Sequence, residues 1–417
     1  MRPREKKLLA MTALEETWGN SENILFLGEW CKRYERRNIW EQRNHEVIQF
    51  HWDDRVKLRR DYDYLVSLHH SFLAILTQAL NEYHKVGHNL RYWQILLDPW
   101  LMSYLSVMFD RWECLRSAFE TSENLSVILS ENCDPLPPPY SYSEFVSLAA
   151  SSDEWNQNIY HKIINSEYLG RFSISSLGLS FRRGTSGSTA TTAIRQSILR
   201  KIASVSIGYI EKFVKSNDIV FIGSSFNWRA LVKINLSLGQ FPLLDPLLAF
   251  RTANNKSARD ISCTGLPRRA DLVINYSSES RFERFVINSI IDDIPRCLVE
   301  DYPILRDLTS YIPIRPKVIV TGSSHWADTF AKMWFAEQVR RGVKYVVLEH
   351  GGSLPPFMEL FDFEADISDV RASWFMPYHS KHVRLPPPKI VGRYTNLYSI
   401  IRGLLTQKKY CTVIGNE

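Results

Sequence analysis

The chain has 417 residues, of which 45% are hydrophobic and 23% are charged. This is the composition of a folded globular protein with room for two or three domains, and it excludes large-scale disorder. The net charge is +6, from 51 Lys and Arg against 45 Asp and Glu. Because this excess is mild and spread along the chain, it suits an anionic ligand or a membrane surface and gives no indication of a nucleic-acid partner.

The six cysteines form no C-x-x-C pair and no spacing with histidines that is typical of zinc modules. They indicate neither a disulfide framework nor a zinc site, so a reducing cytoplasm is the expected location. The amino terminus, "MRPREKKLLAMTALEETW", is basic, but Glu15 and Glu16 interrupt it before a secretory apolar region can form. The run "RPREKK" is either a contact with the inner face of a membrane or a solvated tail, and a solvated tail is the commoner case.

The first predicted strand is "ILFLGEW", with Gly28 and Glu29 at its carboxyl end. A helical region follows over residues 61–120, because apolar side chains recur there three and four residues apart. Its most apolar part, "YWQILLDPWLMSYLSVMF", contains polar residues and a proline and is barely long enough to span a bilayer. We therefore predict a buried helix pair that is broken at Pro99.

The prolines of "CDPLPPPYSYSEF" end this helical region, and "SLAASSDEWNQNIYHKII" resumes it. Residues 173–192, "SISSLGLSFRRGTSGSTATT", are rich in Gly, Ser and Thr and predict a mobile surface loop. Arg182 and Arg183 in this loop could hold a phosphate, although solvated loop arginines are the commoner case.

A strand, a Gly-Ser-Ser turn and a helix are predicted twice, by "IVFIGSSFNWRALVKI" and by "VIVTGSSHWADTFAKMWFAEQVRRG". The strand "VKYVVLEH" follows the second unit at once. This alternation predicts an α/β fold, a Rossmann-like parallel sheet flanked by helices, with the helical region as a large insertion. Since the carboxyl ends of parallel strands share one edge of a sheet, we expect one crevice lined by the loops that contain Gly28, Gly223, Gly322 and Gly351.

The turn "YVVLEHGGSLPP" is the strongest candidate site. Two successive glycines allow neighbouring amides to point at an anion, and His350 can donate to a phosphate or relay a proton. A histidine held in a tight turn is an equally good interpretation. We predict an anion pocket formed by Glu349, His350, Gly351, Gly352 and Ser353.

A second candidate is "TGSSHWAD", where Ser323 or Ser324 can cap a helix and leave backbone N–H groups free for a phosphate or carboxylate. Gly322 forms the turn, and His325 adds a proton-responsive donor at the same edge. Because most helices need such a cap, a purely structural role is the commoner explanation.

Two acidic features complete the candidates. Glu29 could take a proton from a sugar hydroxyl if it is partly buried, whereas a surface carboxylate paired with Lys32 or Arg33 is the competing interpretation. The run "FDFEADISD" offers oxygen ligands for a divalent cation but lacks the glycine and spacing of an EF-hand loop. A solvated or ion-paired segment is the commoner case for such a run. Its acids are Asp362, Glu364, Asp366 and Asp369.

Several catalytic motifs are absent from the sequence. No P-loop, no G-x-G-x-x-G after a strand and no G-x-S-x-G elbow occurs, so nucleotide hydrolysis, dehydrogenase and esterase functions lose their usual support. The 12 tryptophans suit stacking on sugar rings or bases, although most such residues will lie in the core.

The segments "TALEETWGNSENILFLGEWC", "RYWQILLDPWL", "DEWN", "VLEHGGSLP", "FDFEADISD", "SWFMPYH" and "HVRLPPPKIVG" together resemble a transferase family encoded in O-antigen and other surface-polysaccharide loci. This resemblance implies a two-domain, GT-B-like glycosyltransferase, with the acceptor on one Rossmann-like domain and the nucleotide sugar on the other. It implies that a strand ending in a His-Gly pair lies in the cleft, which Glu349, His350, Gly351 and Gly352 match. It carries no assignment for Glu29 or His325.

On this basis residues 1–60 open the N-terminal Rossmann-like domain, 61–172 form the helical insertion, 173–192 form the loop and 193–385 complete the domain. Residues 386–417 are expected to begin a C-terminal nucleotide-sugar domain that is incomplete in this chain.

The resemblance implies transfer of a sugar from a nucleotide-sugar donor to a saccharide or lipid-linked acceptor, in the cytoplasm or at the inner face of the membrane. It implies neither a cofactor nor a required metal. The expected catalytic residues are Glu29, His350 and Glu349, and the expected phosphate-binding residues are Gly351, Gly352, Ser353, Gly322, Ser323, Ser324 and His325. Two alternatives stay open: a cytidine-nucleotide-dependent transferase of a polyol phosphate or acidic sugar, and a non-catalytic binding or scaffold protein of the same pathway.

Overall fold

Two units make up the chain in this computed structural model. The first comprises Met1–Thr189 and Ser262–Leu305, and the second Ala190–Ile261 and Arg306–Glu417. The structure describes residues 7–21, 23–121, 124–130, 136–168, 173–177, 218–243, 245, 247, 269–351, 363–374, 376–377 and 380–388. Each unit has a five-stranded sheet in which every pairing is parallel, so the predicted α/β class with helix-flanked, Rossmann-like parallel sheets is confirmed.

The sheet of the first unit has the order β3-β2-β1-β4-β5. Strand order therefore reverses direction between β1 and β4, which is the arrangement that leaves a ligand crevice beyond the carboxyl ends of the central strands. Its strands are β1 Lys7–Ala10, β2 Asn23–Phe26, β3 Asn44–Val47, β4 Leu125–Ser130 and β5 Ser173–Leu177.

The sheet of the second unit runs in simple sequence order, β10-β9-β8-β7-β6. An apolar cluster that includes Phe221, Leu231, Val320, Leu348 and Ala372 packs against its strands. The strands are β6 Ile219–Ile222, β7 Val318–Thr321, β8 Lys344–Leu348, β9 Val370–Ser373 and β10 His382–Arg384.

The α-helices of the described residues, numbered in chain order, lie between these strands and beside them. They are α1 Arg37–Trp40, α2 Arg55–His84, α3 Leu90–Thr121, α4 Tyr142–Ser151, α5 Asp153–Glu167, α6 Trp228–Ser237, α7 Arg281–Asp293, α8 Tyr302–Ser310, α9 Ser324–Ala327, α10 Thr329–Arg340 and α11 Phe363–Ile367.

The helical region contains one long helix where we predicted a break. Helix α3 continues through Pro99, although proline supplies no backbone N–H for the helical hydrogen bond. Residues around it, such as Leu97, Trp100 and Leu101, are completely buried, and this packing holds the helix together across the missing bond. No helix within the described ranges is long and apolar enough to pass through a bilayer.

Strand pairing departs from the single sheet that we expected. The predicted strand "ILFLGEW" overlaps β2 of the first unit, whereas β6, β7 and β8 belong to the sheet of the second unit. An α/β unit with its own sheet is therefore present ahead of residue 386, where we placed the start of a second domain. Apolar runs indicate which segments are strands, but pairing between strands depends on long-range packing that the runs do not encode.

The segment predicted as a loop from residue 173 begins with a strand. Ser173–Leu177 pair in register with Ser126–Ser130 of β4, and backbone hydrogen bonds satisfy this Ser-rich segment at the edge of the sheet. Arg182 and Arg183 lie outside the described residues.

Candidate functional site

Strand β8 delivers Glu349 into the interior of the second unit. The Glu349 amide continues the ladder by donating to the Ala372 carbonyl over 2.7 Å, and its side chain is completely buried. One carboxylate oxygen, Oε1, accepts from the backbone N–H groups of His350 and Gly351, each over 3.0 Å. Gly351 has a φ of +95°, a conformation that favours glycine.

In the described part of this turn, the backbone amides are not free for an anion as we predicted. The His350 and Gly351 amides are already satisfied by the carboxylate of Glu349, which is itself an anion of the protein. Glu349 acts here as a positioning group that closes the turn. Gly352 and Ser353 lie outside the described residues.

Arg371 of β9 bridges two buried carboxylates. Its Nη2 lies 2.5 Å from Glu349 Oε2 and also forms an ion pair with Glu364 Oε2. Both carboxylate side chains have no exposed surface, and that of Arg371 is 6% exposed. Buried charges require such partners, because an unpaired one would lose its hydration without compensation.

Glu364 receives further hydrogen bonds from α9. His325 Nε2 donates to Glu364 Oε1 over 2.6 Å, and Trp326 Nε1 donates to the same oxygen over 2.9 Å. Burial alone would raise the pKa of Glu364, but interactions with His325 and Arg371 more than offset it and hold the pKa below its usual value. Burial lowers the pKa of His325, and Glu364 offsets this only in part.

His350 is the member of this group that reaches the surface. Its side chain is 23% exposed, and its Nε2 lies 3.7 Å from Glu364 Oε1, beyond hydrogen-bond length but within ion-pair range. We call His325, Glu349, His350, Glu364 and Arg371 the buried charge cluster. It holds two carboxylates and one guanidinium, so it suits a group that acquires positive charge better than it suits a phosphate.

The loops after β6 and β7 also use their own backbone groups. The Gly223 carbonyl accepts from the N–H groups of Gly322 and Ser323 over 2.9 and 3.1 Å. Gly223 has a φ of +57°, and an added Cβ would lie 2.3 Å from Ser324 Oγ. The backbone N–H groups of Gly322 and Ser323, which we predicted to bind a phosphate, thus already donate to a carbonyl of the protein.

The expected serine-capped helix is divided in two. Ser323 makes no side-chain cap bond to the four-residue α9, and α10 is capped separately by Asp328, whose carboxylate accepts from the Ala331 amide over 2.9 Å. His325 is completely buried and does not face an open edge. The histidine that we assigned to a ligand bonds instead to the carboxylate of Glu364, 39 residues further along the chain. Sequence spacing gives no signal of such a contact.

In the acidic run after the prolines, two of the described carboxylates form ion pairs and one is exposed. Glu364 belongs to the buried charge cluster, Asp369 Oδ1 lies 3.6 Å from Lys344 Nζ, and Asp366 is exposed. Asp369 Oδ2 also accepts from the Tyr345 amide over 2.8 Å. These environments are those of the solvated or ion-paired alternative. Asp362 lies outside the described residues.

Glu29 lies in the first unit, just after β2. Its side chain is 76% exposed, and its carboxylate lies 3.2 Å from Lys32 Nζ. The partial burial on which the general-base hypothesis depended is absent, and the surface pairing that we considered as its competitor is present.

A pocket of about 320 Å³ lies in the first unit beyond the carboxyl ends of β1 and β2. We call it the first-unit pocket. The sequence patterns did not predict it, because its residues come from four separated segments. The polar and aromatic side chains around it include Thr12, Trp30, Arg33, Arg111, Asp153 and Asn156.

Two groups of side chains in the described residues have the spacing of metal ligands, and both contain His51. Lys57 Nζ lies 2.8 Å from Glu113, forms an ion pair with Asp61 and lies 3.2 Å from His51 Nδ1. Since Nδ1 then accepts from the ammonium, Nε2 carries the proton and donates to Asp110 over 3.2 Å. The ammonium group of Lys57 thus occupies the position that a metal ion would take among His51, Asp61 and Glu113. The groups are His51, Asp110 and Cys114, and His51, Asp61 and Glu113.

Two units, each with a parallel, Rossmann-like sheet flanked by helices, place the chain among the α/β proteins. A family model described as LIC12162 family transferase matches residues 7–398. The chain belongs to this family, which confirms the expectation of a transferase. No curated protein and no solved structure matches the chain.

Proposed function

We propose that this transferase moves a glycosyl group from a nucleotide sugar to a hydroxyl group of a surface-polysaccharide acceptor, saccharide or lipid-linked, at the cytoplasmic face of the membrane. Family membership and the presence of two Rossmann-like units support this proposal. The observation that carries it is the position of His350, partly exposed at the end of β8 and backed by the buried carboxylate of Glu364.

The proposed step assigns His350 the role of general base. The acceptor oxygen attacks the anomeric carbon, the bond from that carbon to the phosphate oxygen breaks, and the nucleotide leaves with the electron pair. His350 takes the hydroxyl proton, and the imidazolium that forms is stabilised by Glu364 at 3.7 Å. Arg371, His325 and Trp326 hold Glu364 in place.

The first experiment removes this base. His350→Ala should lower kcat/KM about 100- to 10,000-fold, the usual contribution of a general acid or base, without loss of folded structure. Nucleotide release is measured with UDP-, GDP-, dTDP- and CMP-linked sugars, with and without a mixture of bacterial surface oligosaccharides. His70→Ala, which removes an exposed histidine of α2, is the matched control and should be unaffected.

The same panel, extended with CDP-linked polyols, separates the alternatives. Activity with CDP-linked polyols but with no sugar nucleotide would replace glycosyl transfer by polyol-phosphate transfer. Calorimetry without heat for any nucleotide would point to a binding protein. Unchanged turnover in His350→Ala would remove this histidine from the mechanism.

A further inference from the structure

We infer that the first-unit pocket binds an uncharged saccharide ring that stacks on Trp30. The pocket lies beyond the carboxyl ends of β1 and β2, and β1 borders the point where strand order reverses in the first sheet. The carboxyl ends of strands near such a point are the general position of ligands in open α/β sheets. Its volume, about 320 Å³, is at the small end of ligand pockets, which span roughly 300–1,000 Å³.

Trp30 is held in place although it is exposed. Its indole Nε1 donates to the Met11 carbonyl over 3.0 Å, while 39% of its surface is open to solvent. The ring lies directly over Gly28, where an added Cβ would come within 2.1 Å of a ring carbon. A hydrogen bond and a glycine thus fix an aromatic face at the pocket wall, and such a face suits the apolar C–H side of a sugar ring.

The charges of the pocket are balanced within the protein. Arg33 Nη2 lies 2.5 Å from Asp153 Oδ2, and Arg111 Nη1 lies 2.5 Å from Asp110 Oδ2. Each guanidinium therefore already has its carboxylate, so the pocket has no uncompensated positive charge to attract a phosphate or an acidic sugar. A neutral ligand fits this balance.

The hydrogen-bonding groups of the pocket suit the hydroxyl groups of a sugar. Arg111 donates to Asn156 Oδ1 over 3.1 and 2.9 Å, and Asp153 Oδ1 accepts from the Ala13 amide over 3.3 Å. These contacts fix planar donors and acceptors before any ligand arrives, which reduces the entropy lost on binding. Hydroxyl groups both donate and accept, so they can bond to either kind of partner.

The inference deepens the proposed function, since it names the chemical class of one substrate group, and it rests on that proposal for its biological role. Binding itself is measurable without transfer. If the wild-type protein releases nucleotide from a sugar nucleotide but binds no neutral sugar, this inference alone is overturned. If it binds a neutral sugar but no sugar nucleotide, the proposed function alone is overturned.

The test uses saturation-transfer NMR on the full chain with methyl pyranosides of glucose, galactose, mannose and rhamnose, and with N-acetylneuraminic acid and CMP as anionic probes. At least one neutral pyranoside should bind. Trp30→Ala should weaken that binding about tenfold, because the stacking partner is lost. Trp30→Phe should retain part of it, since a ring remains.

Glycine variants test the same geometry without removing the indole. Gly28→Ala should weaken binding because the new methyl group displaces the Trp30 ring, whereas Gly87→Ala, with nothing within 4 Å of its Cβ, should not. Trp228→Ala removes a 60% exposed tryptophan of the second unit and controls for nonspecific stacking. Equal losses in Trp30→Ala and Trp228→Ala, or a preference for the anionic probes, would overturn the inference.

Discussion

The two sheets place polar side chains at the carboxyl ends of their strands but use them in opposite ways. In the first unit, two arginines and one aspartate line an open pocket beside an exposed indole. In the second, Glu349, Glu364 and Arg371 are buried and bond to each other and to the backbone, leaving only His350 partly exposed. Polar groups at a strand end can therefore either face a ligand directly or hold one other side chain in position.

The largest expected effect comes from the guanidinium of the buried cluster. Arg371→Met leaves Glu349 and Glu364 buried without their common partner, so the free energy of unfolding should fall by about 3–5 kcal/mol. Arg33→Met in the first-unit pocket, where the arginine side chain is 41% exposed, should cost about 1 kcal/mol or less. Urea unfolding measures the free energy of unfolding of both variants. Similar losses in the two would contradict the contrast between the two units.

A smaller effect is expected from the backbone of the second unit. Gly223→Ala should destabilise the protein by roughly 1–3 kcal/mol, because it forces a left-handed alanine against Ser324 Oγ. Gly239 has a φ of +70° but open space around its Cβ, so Gly239→Ala isolates the backbone contribution. The difference in thermal stability between the two variants gives the cost of the contact with Ser324 Oγ. The double variant Gly223→Ala, Ser324→Ala should regain part of the stability that Gly223→Ala loses.

The smallest effect is a pH dependence of the second unit. Burial keeps the pKa of His325 below the value of 6.5 that it has in the unfolded chain, so the unfolded chain takes up more protons as the pH falls below 6.5. Stability is therefore lost on acidification. Glu364, whose pKa is also lowered, adds to this loss below about pH 4.5.

The first unit contains a buried carboxyl group whose pKa is shifted in the opposite direction. Burial raises the pKa of Asp293 despite its bond to Lys162, so this group favours the folded state more at low pH than at high pH. Hydrogen exchange of each unit between pH 7 and 5, corrected for intrinsic rates, should show the larger loss of protection around His325 and Glu364. A smaller loss is expected around His161 of the first unit, because burial also lowers the pKa of this half-buried histidine. Equal losses in both units would contradict the assignment.

Sequence patterns located β6, β7 and β8 of the second unit, because these strands are apolar and are followed by glycine turns. The polar strands β9 and β10 were not predicted. The segments before Gly223 and Gly322 and before Glu349 are strands in the structure, as predicted. In the first unit, β1, β3 and β5 are short or polar, and no periodicity separated them from loops. Pairing in the sheet rather than residue type makes them strands.

The positions of two candidate residues agree with the sequence analysis, whereas their contacts do not. His350 and Glu349 lie at a strand end as expected, yet the glutamate occupies the amides that we reserved for a phosphate. His325 was expected at an open edge and is buried against Glu364. These contacts join residues from different segments, and no spacing rule in the sequence encodes them.

The sequence by itself determined the α/β class, the family and the strand that carries His350, because apolar periodicity, glycine turns and ordered motifs are local properties of the chain. Tertiary structure alone decided that there are two sheets, that Arg371 joins two carboxylates, and that Trp30 stands open over Gly28. The physical reason is that burial and charge pairing depend on which distant segments meet, and they set what each side chain can do.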